Sequence, residues 1–265
     1  MDIEGYLASI FIGISLGLIG GGGSILTVPV LVYLFHIDAF LATSYSLFIV
    51  GTTSVAGSIS FFKKKLVDTK VAIMFGIPSV LAVFITRKYV VPAIPQQIFN
   101  IGSFEVSKNL LLLLLFAILM IVASYSMIKR RKEANKNDAA TAASNYWLIA
   151  IQGILIGAII SLVGAGGGFL IIPVLVNLLK VPMKTAIGTS LVIISINSLL
   201  GFLFSLSYII VQWEFIISIS AIAIVGILIG SYLSNKIEGK KLKTGFGWFV
   251  LATGIYIIVK EILLK

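Results

Sequence analysis

Long apolar runs separated by short basic loops constrain this chain more than any other feature of its sequence. Of its 265 residues, 59% are hydrophobic and only 11% are charged. A soluble domain carries about 25% charged residues, whereas a helix needs about 20 apolar residues to cross a bilayer. The sequence therefore predicts an all-α polytopic membrane protein. The apolar runs are 3–35, 39–62, 71–86, 109–128, 146–179, 185–212, 215–235 and 244–259.

The first and fifth of these runs are too long for one crossing, and each is broken by glycines. Glycine permits a left-handed turn and lets another backbone or a ligand come close. As a helix, residues 24–35 would be about 18 Å long, which is too short to cross the bilayer. We predict that each of the two runs turns at its glycines and returns to its own side of the membrane. The clusters are Gly20, Gly21, Gly22, Gly23 and Ser24, and Gly164, Gly166, Gly167 and Gly168.

The glycine-broken runs belong to an internal duplication. Residues 13–57 align with residues 157–201 at a constant offset of 144, and 17 of the 45 positions are identical. Shared composition gives scattered identities, but not an ungapped pattern of glycine and proline such as this one. Duplicated halves are common in transporters. We predict a first transmembrane repeat over 1–128, a cytoplasmic linker over 129–145 and a second transmembrane repeat over 146–265.

Basic residues indicate how the repeats are oriented. If the glycine-broken runs crossed once, the 20 Lys and Arg residues would divide 11 to 9 between the two sides. If these runs return, the division becomes 15 to 5, which agrees with the excess of Lys and Arg in cytoplasmic loops. Each repeat then has three full crossings, and the second repeat is inverted. We expect a multi-pass protein of the plasma or inner membrane, with the N-terminus outside and the linker in the cytoplasm.

The glycine turns are candidate binding sites for a small anion. A helix that starts after each turn would point free N–H groups and about half a positive charge into it. Tips that enter from opposite faces can then share one spot near the midplane. Polar side chains on the following helices could donate to the same anion, although an isolated Ser or Thr usually bonds its own helix backbone. These side chains are Ser44, Ser46, Thr189, Ser190 and Asn197.

Charged residues are missing from the interior of all eight runs. Cation carriers and proton pumps usually keep such groups inside the membrane, so the sequence favours an anionic substrate. The chain has no cysteine and one histidine, and we predict no catalytic residue, metal site or cofactor. Because loop lysines explain the net charge of +10, we expect lipid and substrate as partners and no nucleic acid. The oligomeric state stays open.

Both glycine clusters and the segments after them resemble the TauE/SafE family of membrane transporters, which is named for sulfite export. The resemblance covers both halves and includes Pro29-Val30-Leu31, its counterpart Pro173-Val174-Leu175 and the Ala-Ile-Gly-Thr-Ser-Leu stretch at 186–191. It implies a plasma-membrane permease for sulfite, organosulfonates or related small organosulfur anions. The first half departs from the Gly-Thr-Ser pattern, with Ser44-Tyr45-Ser46 in its place.

Four functions remain open from the sequence. The first is a secondary anion transporter whose halves alternate access to a central site. An anion channel of the same architecture fits almost equally well, because paired half-helices also line pores. A membrane scaffold without transport activity and an intramembrane enzyme have less support, since no nucleophile and base stand out in the sequence.

Overall fold

The computed structural model describes residues 3–101, 104–128, 146–164, 166–177, 179, 181–233 and 239–263. The predicted linker 129–145 lies outside the described residues. In the first half, α1 (Ile3–Ile19) leads into a 3₁₀ segment (Gly20–Leu26) and α2 (Thr27–Tyr33). Three longer elements follow. They are α3 (Ala39–Lys63), α4 (Thr69–Ile85) with a π-helical extension (Thr86–Val90) and a last turn α5 (Val91–Ala93), and α6 (Lys108–Ile128).

The second half has a similar order of elements. It consists of α7 (Tyr146–Val163), α8 (Gly168–Asn177), α9 (Met183–Ser205), α10 (Trp213–Leu233) and α11 (Gly239–Leu263). Asp38 caps α3 by accepting hydrogen bonds from the backbone N–H groups of Phe40 and Leu41, and Asp68 caps α4 through that of Val71. These caps satisfy N–H groups that have no partner within the helix, so the two loops end in defined helix starts.

The connection between the third and fourth apolar runs contains the strands of the fold. It is not a simple polar loop between two helices. Instead, the helix continues to Ala93, and the chain then forms an antiparallel hairpin of β1 (Gln97–Ile101) and β2 (Phe104–Ser107). Within the described ranges, the regular structure is therefore helical apart from one two-stranded hairpin.

Helix length and surface composition place the chain in a membrane. Within the described residues, five helices are long and apolar enough to cross a bilayer: Ala39–Lys63, Thr69–Ala93, Lys108–Tyr125, Met183–Ser205 and Trp213–Leu233. Large apolar side chains such as Trp147, at 80% exposure, and Tyr232, at 65%, lie on the surface. A soluble monomer rarely exposes so much contiguous apolar surface, so these side chains face lipid.

The two most buried of these helices, α3 and α9, pack against each other at the centre. Gly51 lies against Leu199, Gly57 against Leu191, and Gly201 against Leu47. The residue number on α9 falls as the number on α3 rises, so the two helices run antiparallel. Side chains at these glycines would overlap or crowd their neighbours, which explains why the helices approach so closely.

The same contacts occur twice, 144 residues apart. Gly201 and Leu191 are the counterparts, 144 positions later, of Gly57 and Leu47. The contact of Gly57 with Leu191 is therefore repeated as the contact of Gly201 with Leu47. Similarly, α1 packs on α10 through Gly13 and Ala223, and α7 packs on α4 through Gly157 and Ser79. Each half therefore contributes to the packing of the other in the same way.

The first glycine-broken run folds back on itself. Gly23 lies against the backbone of Ser15 and Leu16 on α1, so the 3₁₀ segment runs back along the helix before it. The ring of Phe35, which follows α2, lies against Gly5 near the start of α1. The two ends of the run are therefore neighbours.

Candidate functional site

The second glycine cluster forms a tight turn between α7 and α8. Gly164, Gly166 and Gly167 have φ angles of 71°, 63° and 75°, a conformation that residues with a Cβ atom rarely adopt. A Cβ atom on Gly164 would overlap the backbone of Thr43, and one on Gly166 would overlap the side chain of Val50. The turn therefore lies directly against α3 and leaves no room for a side chain. Gly168, also predicted, is the first residue of α8.

The first glycine cluster takes a different shape. Gly20 has a φ angle of 70°, and the predicted residues Gly20 to Ser24 all lie within the 3₁₀ segment rather than in an open turn. A Cβ atom on Gly20 would lie 2.7 Å from the Cγ2 atom of Ile187, near the start of α9. The surroundings of this glycine are apolar, and Ser24 is buried.

The first glycines of the two clusters do not meet. Gly164 lies beside Thr43, near one end of α3. Gly20 lies beside Ile187, and the next residue on α9, Gly188, packs on Phe61 near the other end of α3. Thr43 and Phe61 are 18 residues apart, or about 27 Å along a helix. Gly20 also lies against Ile172, in the second turn of α8. A shared anion site of both tips near the midplane stays a prediction.

A buried arginine beside the second cluster is the main feature that the sequence analysis missed. Arg87 lies in the π-helical extension of α4 and is 0% exposed. Its Nη1 donates to Thr43 Oγ1 and Ser44 Oγ, both at 3.3 Å. Its Nε and Nη2 atoms are also buried and have no hydrogen-bond partner in the described part of the chain. π-helical turns occur often at functional sites.

The expectation that no charged residue lies inside a span is therefore wrong. We ended the third apolar run at residue 86, directly before the charged residues Arg87 and Lys88. The run 71–86 has only 16 residues, short of the 20 or so needed for a crossing, and the helix includes the next turns as well. The short length of this run could have indicated that the membrane span continues through Arg87. Only the tertiary packing decides that the Arg87 side chain points inward.

A second cation lies near Arg87. Lys108, the first residue of α6, is 3% exposed. Its Nζ donates to the carbonyl of Val91 at 2.7 Å and lies 4.0 Å from the centre of the Phe40 ring. The hydroxyl of Tyr208 also lies close enough to interact with the Arg87 guanidinium. The Asp38 carboxylate, which caps the N-terminus of α3, also lies close enough to interact with Lys108, so two buried cations and one carboxylate lie at this end of the bundle.

The predicted hydroxyl and amide side chains divide into two groups. Ser190 donates to the Ile187 carbonyl of its own helix at 2.8 Å, and Thr189 accepts from the Asp68 N–H at 2.9 Å. The hydroxyls of both residues therefore already take part in hydrogen bonds within the protein. Ser44, by contrast, contacts Arg87, as described above, and Asn197 donates to Ser79 Oγ at 2.6 Å while its Oδ1 has no partner.

Unpaired hydroxyls continue from the arginine toward the middle of the bundle. Ser46, Ser54 and Ser198 are 0% exposed, and within the described residues their hydroxyls have no partner. On α3, Ser46 and Ser54 lie one helical turn to either side of Val50, against which Gly166 packs. Buried polar atoms are nearly always satisfied by protein, water or ligand. Thr43, Ser46 and Ser54 therefore place polar groups along about 16 Å of one face of α3.

Comparison with known proteins gives the family. A family model described as "Sulfite exporter TauE/SafE" matches residues 6–257. The chain belongs to the TauE/SafE family. Two similar TauE/SafE-like relatives span nearly all of it. A "Probable membrane transporter protein" of Xylella fastidiosa is 29% identical over 97% of each chain, and the "Probable membrane transporter protein YjnA" of Bacillus subtilis is 25% identical over 97% of this chain and 100% of its own.

A third relative, the "Probable membrane transporter protein YunE" of Bacillus subtilis, is 27% identical over 85% of each chain. No solved structure gives a significant match. The predicted resemblance to TauE/SafE transporters is thus confirmed, together with a multi-pass protein of a membrane transporter family. In the described residues, no three His, Cys, Asp or Glu side chains come together as a metal site.

Proposed function

We propose that this TauE/SafE protein is a secondary transporter of a small anion, and that Arg87 binds the anion beside Thr43, Ser44 and the Gly164 turn. The observation that carries the proposal is the buried guanidinium with two unpaired nitrogen atoms. A buried charge costs several kcal/mol unless a partner compensates it. The hydroxyls that Arg87 meets among the described residues, those of Thr43, Ser44 and Tyr208, are all neutral, so a bound anion supplies the missing charge.

The chemistry of these donors suits an oxyanion. A guanidinium presents parallel N–H groups that match two oxygen atoms of one ligand. Arg87 Nε and Nη2 are adjacent donors on one edge of the guanidinium, and both are unpaired. The family is described as sulfite exporters, so sulfite and organosulfonates are the first substrates to test. We leave Gly20 to Ser24 out of this site, because Gly20 lies near the opposite end of α3.

We further propose that the two halves are inverted repeats. Antiparallel packing of the corresponding helices α3 and α9 supports this, because corresponding helices that run in opposite directions across a membrane have opposite topology. The neighbouring ends of the first run, Gly5 and Phe35, support a re-entrant hairpin. Rocking of such halves gives alternating access. The unpaired hydroxyls on α3 and α9 would then line the path of the anion.

Flux measurements test the transport function. Purified protein in liposomes is expected to move labelled sulfite, a small sulfonate or thiosulfate with saturable kinetics and to exchange substrate across the membrane. Saturation and exchange are expected because a carrier must return its binding site to the first side of the membrane after each transport cycle. Large single-channel currents would indicate a pore instead, and absence of flux for all three anions would refute the proposal.

Labelling of single cysteines tests the topology, since the chain has no cysteine of its own. His36 and Lys184 are exposed and follow the two glycine-broken runs. With inverted repeats, we expect a membrane-impermeant thiol reagent on intact cells to label His36→Cys and not Lys184→Cys. Permeabilised cells, in which both variants should react, serve as the control. Labelling of both sites in intact cells would show that the repeats point the same way.

A further inference from the structure

An apolar groove runs along the lipid-facing surface between α4 and α9. Its volume is 420 Å³. Residues on both helices line it, including Ala72, Gly76, Ile77, Val192 and Ile196, together with Phe62 at the end of α3. At Gly76 no atom lies within 4 Å of the position that a Cβ would occupy. The groove is therefore open where a larger side chain would have filled it.

The groove has the length of one lipid tail. On α4 its lining extends from Thr69 to Leu81, which are 12 residues or about 18 Å apart along a helix. One leaflet of the hydrocarbon core is about 15 Å thick. An acyl chain that enters at Thr69 would therefore fill the groove and end near the middle of the bilayer.

Basic residues surround the end at which the tail would enter. Lys63, Lys64 and Lys65 are exposed and follow directly after Phe62, which lines the groove. Lys65 has a φ angle of 55°, so the chain turns sharply directly after these lysines. On α9 the exposed Lys184 lies one turn before Gly188, which packs on the Leu66 carbonyl. By the charge distribution, this end is cytoplasmic.

We propose that this groove is a binding site for one anionic phospholipid of the cytoplasmic leaflet. The acyl chain lies in the groove, and the phosphate of the headgroup lies among Lys63, Lys64 and Lys65. Basic pockets at the cytoplasmic side of membrane helices attract anionic headgroups, with about 1 kcal/mol for each basic residue near the surface. The site is independent of the anion site, since Arg87 lies at the other end of α4.

A second copy of the chain fits this surface less well. A two-fold interface brings the same patch of both copies together, so three lysines would face three lysines across the groove. A phospholipid instead matches this surface, because its apolar tail fits the groove and its negative headgroup fits the lysines at the end of the groove. Like charges in contact are unfavourable and opposite charges are favourable.

Native mass spectrometry of the full chain in detergent tests the site, with phosphatidylglycerol and phosphatidylcholine of identical tails as probes. We expect the wild type to retain one phosphatidylglycerol and to bind it at least about tenfold more tightly than phosphatidylcholine. The triple variant Lys63→Gln/Lys64→Gln/Lys65→Gln should lose this preference. Gly76→Leu should lose both lipids, because its side chain occupies the groove.

Matched controls separate the headgroup from the tail. Gly245→Leu changes another glycine with open space around it, and we expect it to bind lipid as the wild type does. Glycerol phosphate, which has the headgroup chemistry without a tail, should not compete at equal concentration. Size-exclusion profiles and thermal unfolding without lipid verify that the variants fold.

Three results would overturn the proposal. The first is equal binding of both lipids by wild type and triple variant, and the second is lipid binding that survives in folded Gly76→Leu. The third is a dimeric wild type that Gly76→Leu converts to a monomer, because a second copy would then cover the groove. Sulfite-dependent stabilisation should be unchanged in Gly76→Leu. If sulfite stabilised the wild type and Arg87→Gln equally, the anion site at Arg87 would be refuted and the lipid site would still stand.

Discussion

Arg87→Gln is expected to weaken anion binding by about 10- to 100-fold and to abolish transport at substrate concentrations near the wild-type Kd. Hydrogen bonds to a charged group contribute about 1.5–3 kcal/mol each, and about 1.4 kcal/mol corresponds to a tenfold change in affinity. The neutral side chain retains a polar group beside Thr43 and Ser44 but removes the positive charge that donates to them. Sulfite-dependent shifts of the unfolding temperature and proteoliposome flux measure the two effects.

The same substitution separates a binding role from a structural one. Without a ligand, the buried cation is poorly compensated, so Arg87→Met is expected to unfold at the same or a higher temperature than the wild type in anion-free buffer. If Arg87 only stabilised the fold, Arg87→Met would instead be less stable with and without anion. Arg87→Lys keeps the charge but loses the paired N–H geometry, and we expect an intermediate affinity.

Lys88→Gln is the matched control, because Lys88 is the next residue, carries the same charge and is exposed. Its ammonium lies over the rings of Phe84 and Tyr89 at 5.2 and 5.8 Å, so its removal should leave anion affinity within about twofold of the wild type. Equal losses in Lys88→Gln and Arg87→Gln would show that long-range charge, and not a site at Arg87, attracts the anion.

Gly164→Ala and Gly166→Ala are expected to destabilise the protein by about 2–5 kcal/mol each. A residue with a Cβ atom costs about 1–2 kcal/mol in a left-handed conformation, and an overlap in a packed interior adds about 1–3 kcal/mol. Both glycines have positive φ angles. The added methyl group meets the backbone of Thr43 at Gly164 and the side chain of Val50 at Gly166.

A second substitution distinguishes these two overlaps. Val50→Ala removes the atoms that Gly166→Ala would meet, so the double variant should recover the packing part of the loss and keep the conformational part. The backbone of Thr43 cannot be removed, and no side-chain change should rescue Gly164→Ala in the same way. Thermal unfolding in detergent measures the series, with Gly245→Ala as a control in open space. Wild-type stability of Gly164→Ala would contradict this packing of the turn on α3.

Much of the architecture could be predicted from the sequence, because membrane spans follow from local composition. The structure has helices at all eight apolar runs, and the described ends of most of them differ from the predicted ends by only a few residues. The glycine clusters were also located correctly as breaks. The inverted orientation of the repeats and the cytoplasmic linker stay predictions, since the linker lies outside the described residues.

The site was only partly predictable. Ser44 and Ser46 were predicted as hydroxyl donors near the start of the helix that follows the first glycine-broken run. The structure places Ser44 on Arg87 and leaves the Ser46 hydroxyl unpaired among the described residues. The duplication suggests equivalent roles for both glycine clusters, but the side chains beside the two clusters differ. The residues that correspond to Thr43 and Ser44, 144 positions later, are Ile187 and Gly188, which cannot hydrogen-bond a ligand through their side chains.

By itself, the sequence determined a helical membrane protein with duplicated, glycine-broken runs, because hydrophobic length and backbone freedom are properties of short segments. Only the tertiary structure decided that Arg87 is buried and meets Thr43, 44 residues away in the chain, and that Gly20 and Gly164 lie at opposite ends of α3. Whether a charge at the end of an apolar run faces water or the interior depends on which helix packs against it, and that is a contact between distant segments.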